Sequence, residues 1–255
     1  MKKTILLAVF LCAYIITHAQ LLASKAGAGV YTLNDASILV DVNDFTVVNK
    51  AALFFAFDMQ SVTLKTNAIQ NSISKSGKTA IIIGSVEKSG FIKQLIQQKK
   101  LSVSELKGKW EAYKIVTIKN PFKGIDQALV IVGSDRRGTA FGIFEMSKQI
   151  GVSPWYWWAD VPVQTKNKIY INANTTISDA PKVKYRGIFI NDEAPALSNW
   201  SKEKFGGFNS EFYAKVFELM LRLKSNYIWP AMWGNAFYDD DSLNIKMAGK
   251  YGIVI

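Results

Sequence analysis

The chain has 255 residues, 49% of them hydrophobic, with a formal charge of +11 that falls to about +9 once Lys2 and Lys3 are set aside. Its only cysteine is Cys12 and its only histidine is His18. Both lie in a leader-like segment, so the remainder excludes disulfides, thiolate or imidazole catalysis and Cys/His metal sites, and no metal or other cofactor is expected.

Met1-Lys2-Lys3 is a positive n-region, Thr4 to Ile16 an apolar stretch too short to span a membrane, and Thr17-His18-Ala19 offers small residues before Gln20. Residues 1–19 therefore read as a signal peptide and the protein as periplasmic or secreted, with no membrane span after cleavage. The basic residues are scattered and match no nucleic-acid motif, so nucleic acid is not an expected partner. An acidic polysaccharide is compatible with the charge.

Val30 to Thr32 and Ser37 to Val40 predict short strands, and Asp44 to Gln60 a helix from the spacing of Val48, Ala51, Ala52, Phe55 and Phe57. Thr79 to Gly84 predicts a buried strand, Glu87 to Lys99 a helix, Glu111 to Ile118 and Gln127 to Val132 two strands, and Arg136 to Ile150 a helix. This alternation makes residues 20–172 an α/β layer domain with a partly parallel sheet. Residues 173–182 are polar and aperiodic, and read as an interdomain linker. From residue 183 the rhythm changes. A strand over Tyr185 to Ile190 is followed by a long polar loop, a helix from about Glu211 to Lys224, a strand over Tyr227 to Trp229, a helix over Ser242 to Lys250, and the start of a third strand. Strands about 25–40 residues apart have the spacing of a (β/α)8 barrel, here truncated. A chain ending inside an apolar strand reads as the amino-terminal piece of a longer protein.

Chemistry is expected where Gly187-Ile188-Phe189-Ile190 runs into Asn191-Asp192-Glu193. In α/β folds ligands gather at the carboxyl ends of buried strands, and neighbours on an extended segment point to opposite sides. Asp192 and Glu193 therefore have different jobs, as catalytic acids or as caps of the loop that follows. Glu203 and Glu211 are weaker candidates. Trp229 and Trp233 stand at the next strand end as pocket walls or core. The Pro154–Asp160 aromatic cluster is a sugar platform or an apolar plug between domains. The turn Gly133–Ala140 has G-x-x-x-x-G spacing, but Thr139-Ala140 replaces Lys-Ser/Thr, so no phosphate-cradling lysine follows. Arg136 and Arg137 there could hold a carboxylate, or Asp135 could cap the helix and leave both solvated. Asp239-Asp240-Asp241 reads as a loop and helix cap more readily than as a calcium site.

Four strings are unusual enough to carry a resemblance: Gly133 to Thr139, Ile150 to Pro162, Tyr185 to Pro195 and Asn226 to Phe237. In this order they closely resemble glycoside hydrolase family 115, densely from about Ala128 to Tyr251. The resemblance implies an amino-terminal α/β domain, a (β/α)8 catalytic barrel and further domains in a dimeric, inverting α-glucuronidase. Such an enzyme removes 4-O-methylglucuronic acid side groups from glucuronoxylan. It also implies Asp192 and then Glu193 as catalytic carboxylates, with Asn191, Trp229, Trp233, Asn235, Arg136 and Arg137 around the sugar. An inverting pair is expected about 6.5–9.5 Å apart, and its second member beyond Ile255, so this chain alone is expected to be inactive. The alternative is a non-catalytic carbohydrate-binding α/β protein.

Overall fold

The computed structural model describes residues 20–255; the expected signal peptide, with Cys12 and His18, lies outside the described residues. The principal sheet has six strands: β3 (Ser37–Val40), β4 (Ile69–Gln70), β5 (Thr79–Ser85), β6 (Tyr113–Lys119), β7 (Gln127–Gly133) and β9 (Thr176–Asp179). They lie in the order β4-β3-β5-β7-β6-β9. The β4-β3-β5-β7 run is parallel, and β6 is antiparallel to both β7 and β9. Thus the sheet is partly parallel, as the alternating pattern predicts. A small antiparallel sheet of β1 (Leu22–Ala23), β8 (Tyr170–Asn172) and β2 (Val30–Thr32) stands beside it.

Successive side chains along the central strands are buried against opposite faces of the sheet. Ile81, Ile83, Leu129, Ile131 and Ile115 face helices α1 (Thr46–Thr63) and α3 (Arg136–Ile150). Ala80, Ile82, Val130 and Val132 face α2 (Gly90–Gln97). Both faces are covered, which is why these strands are uniformly apolar.

Behind α1 and α3 lies a second helical layer of α5 (Ser210–Arg222) and α6 (Leu243–Tyr251). On its far side β10 (Gly187–Phe189) pairs in parallel with β11 (Tyr227–Trp229), and Val254 bridges to Tyr227 on the other edge. One apolar cluster runs from Ile81 and Leu129 through Phe55 and Phe144 to Phe217, Ile228 and Tyr251. The two halves therefore share a core. Each such fully buried side chain contributes roughly 1.5–3 kcal/mol of transfer free energy.

Three expectations need correction. Residues 173–182 are not a free connector: Thr176–Asp179 add strand β9 to the sheet edge, where one side faces solvent and a polar strand is tolerated. The polar loop after Ile190 contains helix α4 (Ala196–Phe205), closed by left-handed Gly206. Its stripe is thin, with Ser201 the only fully buried residue, so periodicity gives little sign of it. Finally, β10 is not buried: Gly187, Ile188 and Phe189 are all exposed, because among the described residues β11 is its only strand neighbour and one face of the pair is uncovered.

Candidate functional site

Parallel pairing of β10 with β11 brings their carboxyl ends side by side, with Phe189 opposite Trp229. A close approach permits it. A Cβ on Gly187 would lie 1.9 Å from the carbonyl oxygen of Tyr227, so only glycine fits. The pair then continues into two loops, Ile190–Pro195 and Pro230–Asp241, which carry Asn191, Asp192, Glu193, Trp233 and Asn235.

Asp192 and Glu193 do point to different sides. Asp192 is 2% exposed, while Glu193 is exposed and donates its main-chain N–H to Asn191 Oδ1 at 3.3 Å. Oδ2 of Asp192 accepts from the Trp233 main-chain N–H at 3.0 Å and from Asn235 Nδ2 at 2.6 Å. Oδ1 is buried and has no hydrogen-bond partner. The main-chain carbonyl of Asp192 accepts from the Ser198 hydroxyl, which ties the strand end to α4. Asp192 thus clamps the β11 loop to the β10 loop. Trp229 and Trp233, 53% and 64% exposed, stand beside it as an open aromatic wall, not as core. Phe189 meets Trp229 edge to face at 5.6 Å.

Tyr213 of α5 lies beneath this loop and accepts from Ala231 N–H at 3.1 Å. Burial pushes its phenol well above the usual tyrosine range; the Ala231 bond opposes this, and the nearby Asp192 charge adds to it.

Asp192, Glu193, Asn191, Trp229, Trp233 and Asn235 are thus gathered at one end of the β10–β11 pair. Arg136 and Arg137 are not. They belong to the first turn of α3, and Arg137 donates to Glu111 and to the Gly252 carbonyl, at the amino-terminal end of β10. Arg137 is therefore paired rather than solvated. Asp135 caps that helix, accepting from Arg137 N at 3.0 Å and Gly138 N at 2.8 Å. In Asp239-Asp240-Asp241, Asp240 accepts from Ala236 N and Asp241 from Ser210 N and Leu243 N. Glu203 lies exposed on α4, and Glu211 in the first turn of α5.

In the aromatic cluster, Trp158 packs edge-on against Trp157 at 5.0 Å and beside Trp200 at 5.6 Å. Its Nε1 donates to the Lys215 carbonyl. This is the apolar plug between the layers.

Sequence reasoning missed Glu111. It is 2% exposed and held by Arg137, by Arg186 at 2.5 Å and by Asn226 at 2.7 Å. Its partners lie 26, 75 and 115 residues away, so no local signal could have marked it. Because Arg186 precedes β10 and Asn226 precedes β11, this clamp sets the pair from the end opposite Asp192.

Comparison with known proteins gives a consistent picture. Residues 178–255 match the profile of Glycosyl hydrolase family 115. Among solved structures, the chain is similar to BtGH115A, a 4-O-methyl-α-glucuronidase of family GH115 with specificity for decorated arabinogalactans. The identity is 33% and the TM-score 0.75, over 88% of this chain and 29% of that one. It also shares a fold with a Streptomyces plicatus β-hexosaminidase at 12% identity and a TM-score of 0.50, over 89% of this chain and 42% of the other. The chain thus spans less than a third of BtGH115A. No curated protein matches it.

Proposed function

We propose, from the match of residues 178–255 to glycosyl hydrolase family 115, that the protein is a glycoside hydrolase that releases 4-O-methylglucuronic acid side groups. In this reading the chain supplies the amino-terminal α/β domain and the opening βα units of the catalytic barrel, and the activity belongs to the complete encoded polypeptide. The observation that carries the reading is Asp192. A carboxylate with one oxygen clamped and the other buried without a partner, at the end of β10 and beside two open tryptophans, suits a group that orients a water next to a bound sugar. The tryptophan faces would stack on the ring's C–H faces.

Asp192 and the exposed Glu193 are the carboxylates proposed for the site. Inversion requires one acid and one base about 6.5–9.5 Å apart with a water between them, and we assign the second member to a later strand end of the barrel. Asn191 and the two tryptophans would line the sugar. Arg136 and Arg137 are left out, since they sit at the far end of β10.

Glucuronoxylan is the proposed polymer, and decorated arabinogalactan is the rival that the similarity to BtGH115A favours. Incubating the complete protein with each polymer and quantifying free 4-O-methylglucuronic acid decides between them. Release from glucuronoxylan supports the proposal. Release from arabinogalactan alone moves the substrate and keeps the chemistry. Binding to either polymer without release would replace the enzyme by a carbohydrate-binding protein.

A further inference from the structure

Several aspartates among the described residues accept main-chain N–H groups in loops and at helix starts, and the buried and half-buried ones do not use their oxygens alike. Asp44 spends both: Oδ2 accepts from Ser85 N at 2.8 Å and Oδ1 from Ser85 Oγ at 2.7 Å. Asp135 spends Oδ1 on its helix cap and Oδ2 on Glu111 N at 2.7 Å. Asp241 spends Oδ2 on Ser210 N and Oδ1 on Leu243 N. These are structural carboxylates, satisfied on both sides. Asp192 is as buried as any of them, yet both of its donors converge on Oδ2 and Oδ1 has none.

A buried acceptor without a donor costs about 1–3 kcal/mol. A carboxylate whose only task was to tie two loops together would lower its free energy by sharing Trp233 N–H and Asn235 Nδ2 between its oxygens. Here the two donors hold one oxygen and leave the other free.

Asn235 has its own constraint. Its Nδ2 donates to Asp192 Oδ2 at 2.6 Å and to the Trp233 carbonyl at 3.0 Å. Both amide hydrogens are spent, since a carboxamide nitrogen carries only two. It therefore has no donor left for a sugar, although the sequence places it among the sugar ligands.

We propose that Asn235 is a positioning residue: with the Trp233 main-chain amide it locks Oδ2 of Asp192 and leaves the buried Oδ1 as the single acceptor for the O–H of a water held at the site. The inference rests on the uronidase reading and deepens it. It names the working atom of Asp192, and it gives Trp233 two roles, since its amide holds the carboxylate while its ring stands in the open. Asn235→Asp keeps the shape of the side chain, removes the donor and adds a repelling charge. Asn235→Ser is smaller but keeps a donor.

The test uses the complete protein and a 4-O-methylglucuronic-acid-decorated oligosaccharide. Asn235→Asp should lower kcat about tenfold or more with KM within about twofold, the signature of an interaction felt in the transition state. Asn235→Ser should recover part of the loss, at an unchanged melting temperature. A rise in KM with kcat preserved would make Asn235 a sugar ligand and overturn the proposal, as would unchanged kinetics in Asn235→Asp. A second readout needs no activity. In the 15N spectrum of the wild-type protein, one Asn235 side-chain amide proton should be shifted downfield, and Asp192→Ala should return it to the free-amide position. If the wild type releases no uronic acid, the uronidase reading falls, and this spectrum alone judges the lock. A free-amide Asn235 signal in the wild type overturns it.

Discussion

Glu111 and Asp192 are both buried acids, and their surroundings differ. Glu111 is met by two guanidinium groups and a carboxamide. Removing one partner of a buried ionic cluster leaves uncompensated charge, at a cost of about 3–5 kcal/mol. Glu111→Ala is expected to lose stability of that order in urea unfolding; a change below about 1 kcal/mol would show that the clamp does not hold the β10–β11 pair. Lys224 gives a second case. It joins Glu145 at 2.9 Å and the Tyr113 hydroxyl at 2.8 Å. Burial works to lower its pKa, but these partners outweigh burial and raise it. Its stabilisation is therefore complete below the ordinary lysine value of about 10.4 and is lost as pH rises through the raised one. For Glu145, burial works upward, but hydrogen bonds from Gln149 and Lys224 win and the pKa falls. Its contribution is present above about pH 4.3 and lost as pH falls through the depressed value. Melting temperature against pH should accordingly fall at both extremes, more steeply in the wild type than in Lys224→Met. Identical profiles would contradict the assignment. At this scale the sequence was legible where chemistry is local. An Asn-Asp-Glu run after an apolar stretch marks a strand end, whereas Glu111 depends on partners that only the fold brings to it.

The elements were legible where periodicity is strong. The central strands and α1, α3, α5 and α6 lie within a few residues of their expected bounds. Helix α4 and strand β9 were not, since one buries almost no apolar stripe and the other is a polar edge. The exposed face of β10 was also unforeseen, because an apolar tetrapeptide says nothing of how many neighbours it has. Gly187 is the sharpest constraint on an element. A methyl group there collides with the Tyr227 carbonyl, and overpacking of this kind costs about 1–3 kcal/mol. Gly187→Ala is expected to separate β10 from β11 and loosen the Asp192 contacts with Trp233 and Asn235. Faster amide exchange at Trp233 N would report it; unchanged exchange would show that the strand ends are held by the loops alone.

Across the whole molecule, the division into an α/β domain, a linker and a barrel start does not mark a break in packing. Phe144 of α3 and Phe217 of α5 share one core. Arg222 of α5 makes a two-point contact with Asp58 of α1, at 2.9 and 3.0 Å. The chain is therefore expected to unfold in a single transition, with tryptophan fluorescence and far-ultraviolet circular dichroism coincident in urea. Two separated transitions would mean that residues 20–182 and 183–255 fold independently. The central claim, that the end of β10 is a uronic-acid-releasing site built on Asp192, is tested most directly by release of 4-O-methylglucuronic acid by the complete protein, wild type against Asp192→Asn. The account predicts release by the wild type and a loss of at least about a hundredfold in the variant, whose melting temperature stays near that of the wild type. Equal release by the two proteins would contradict it.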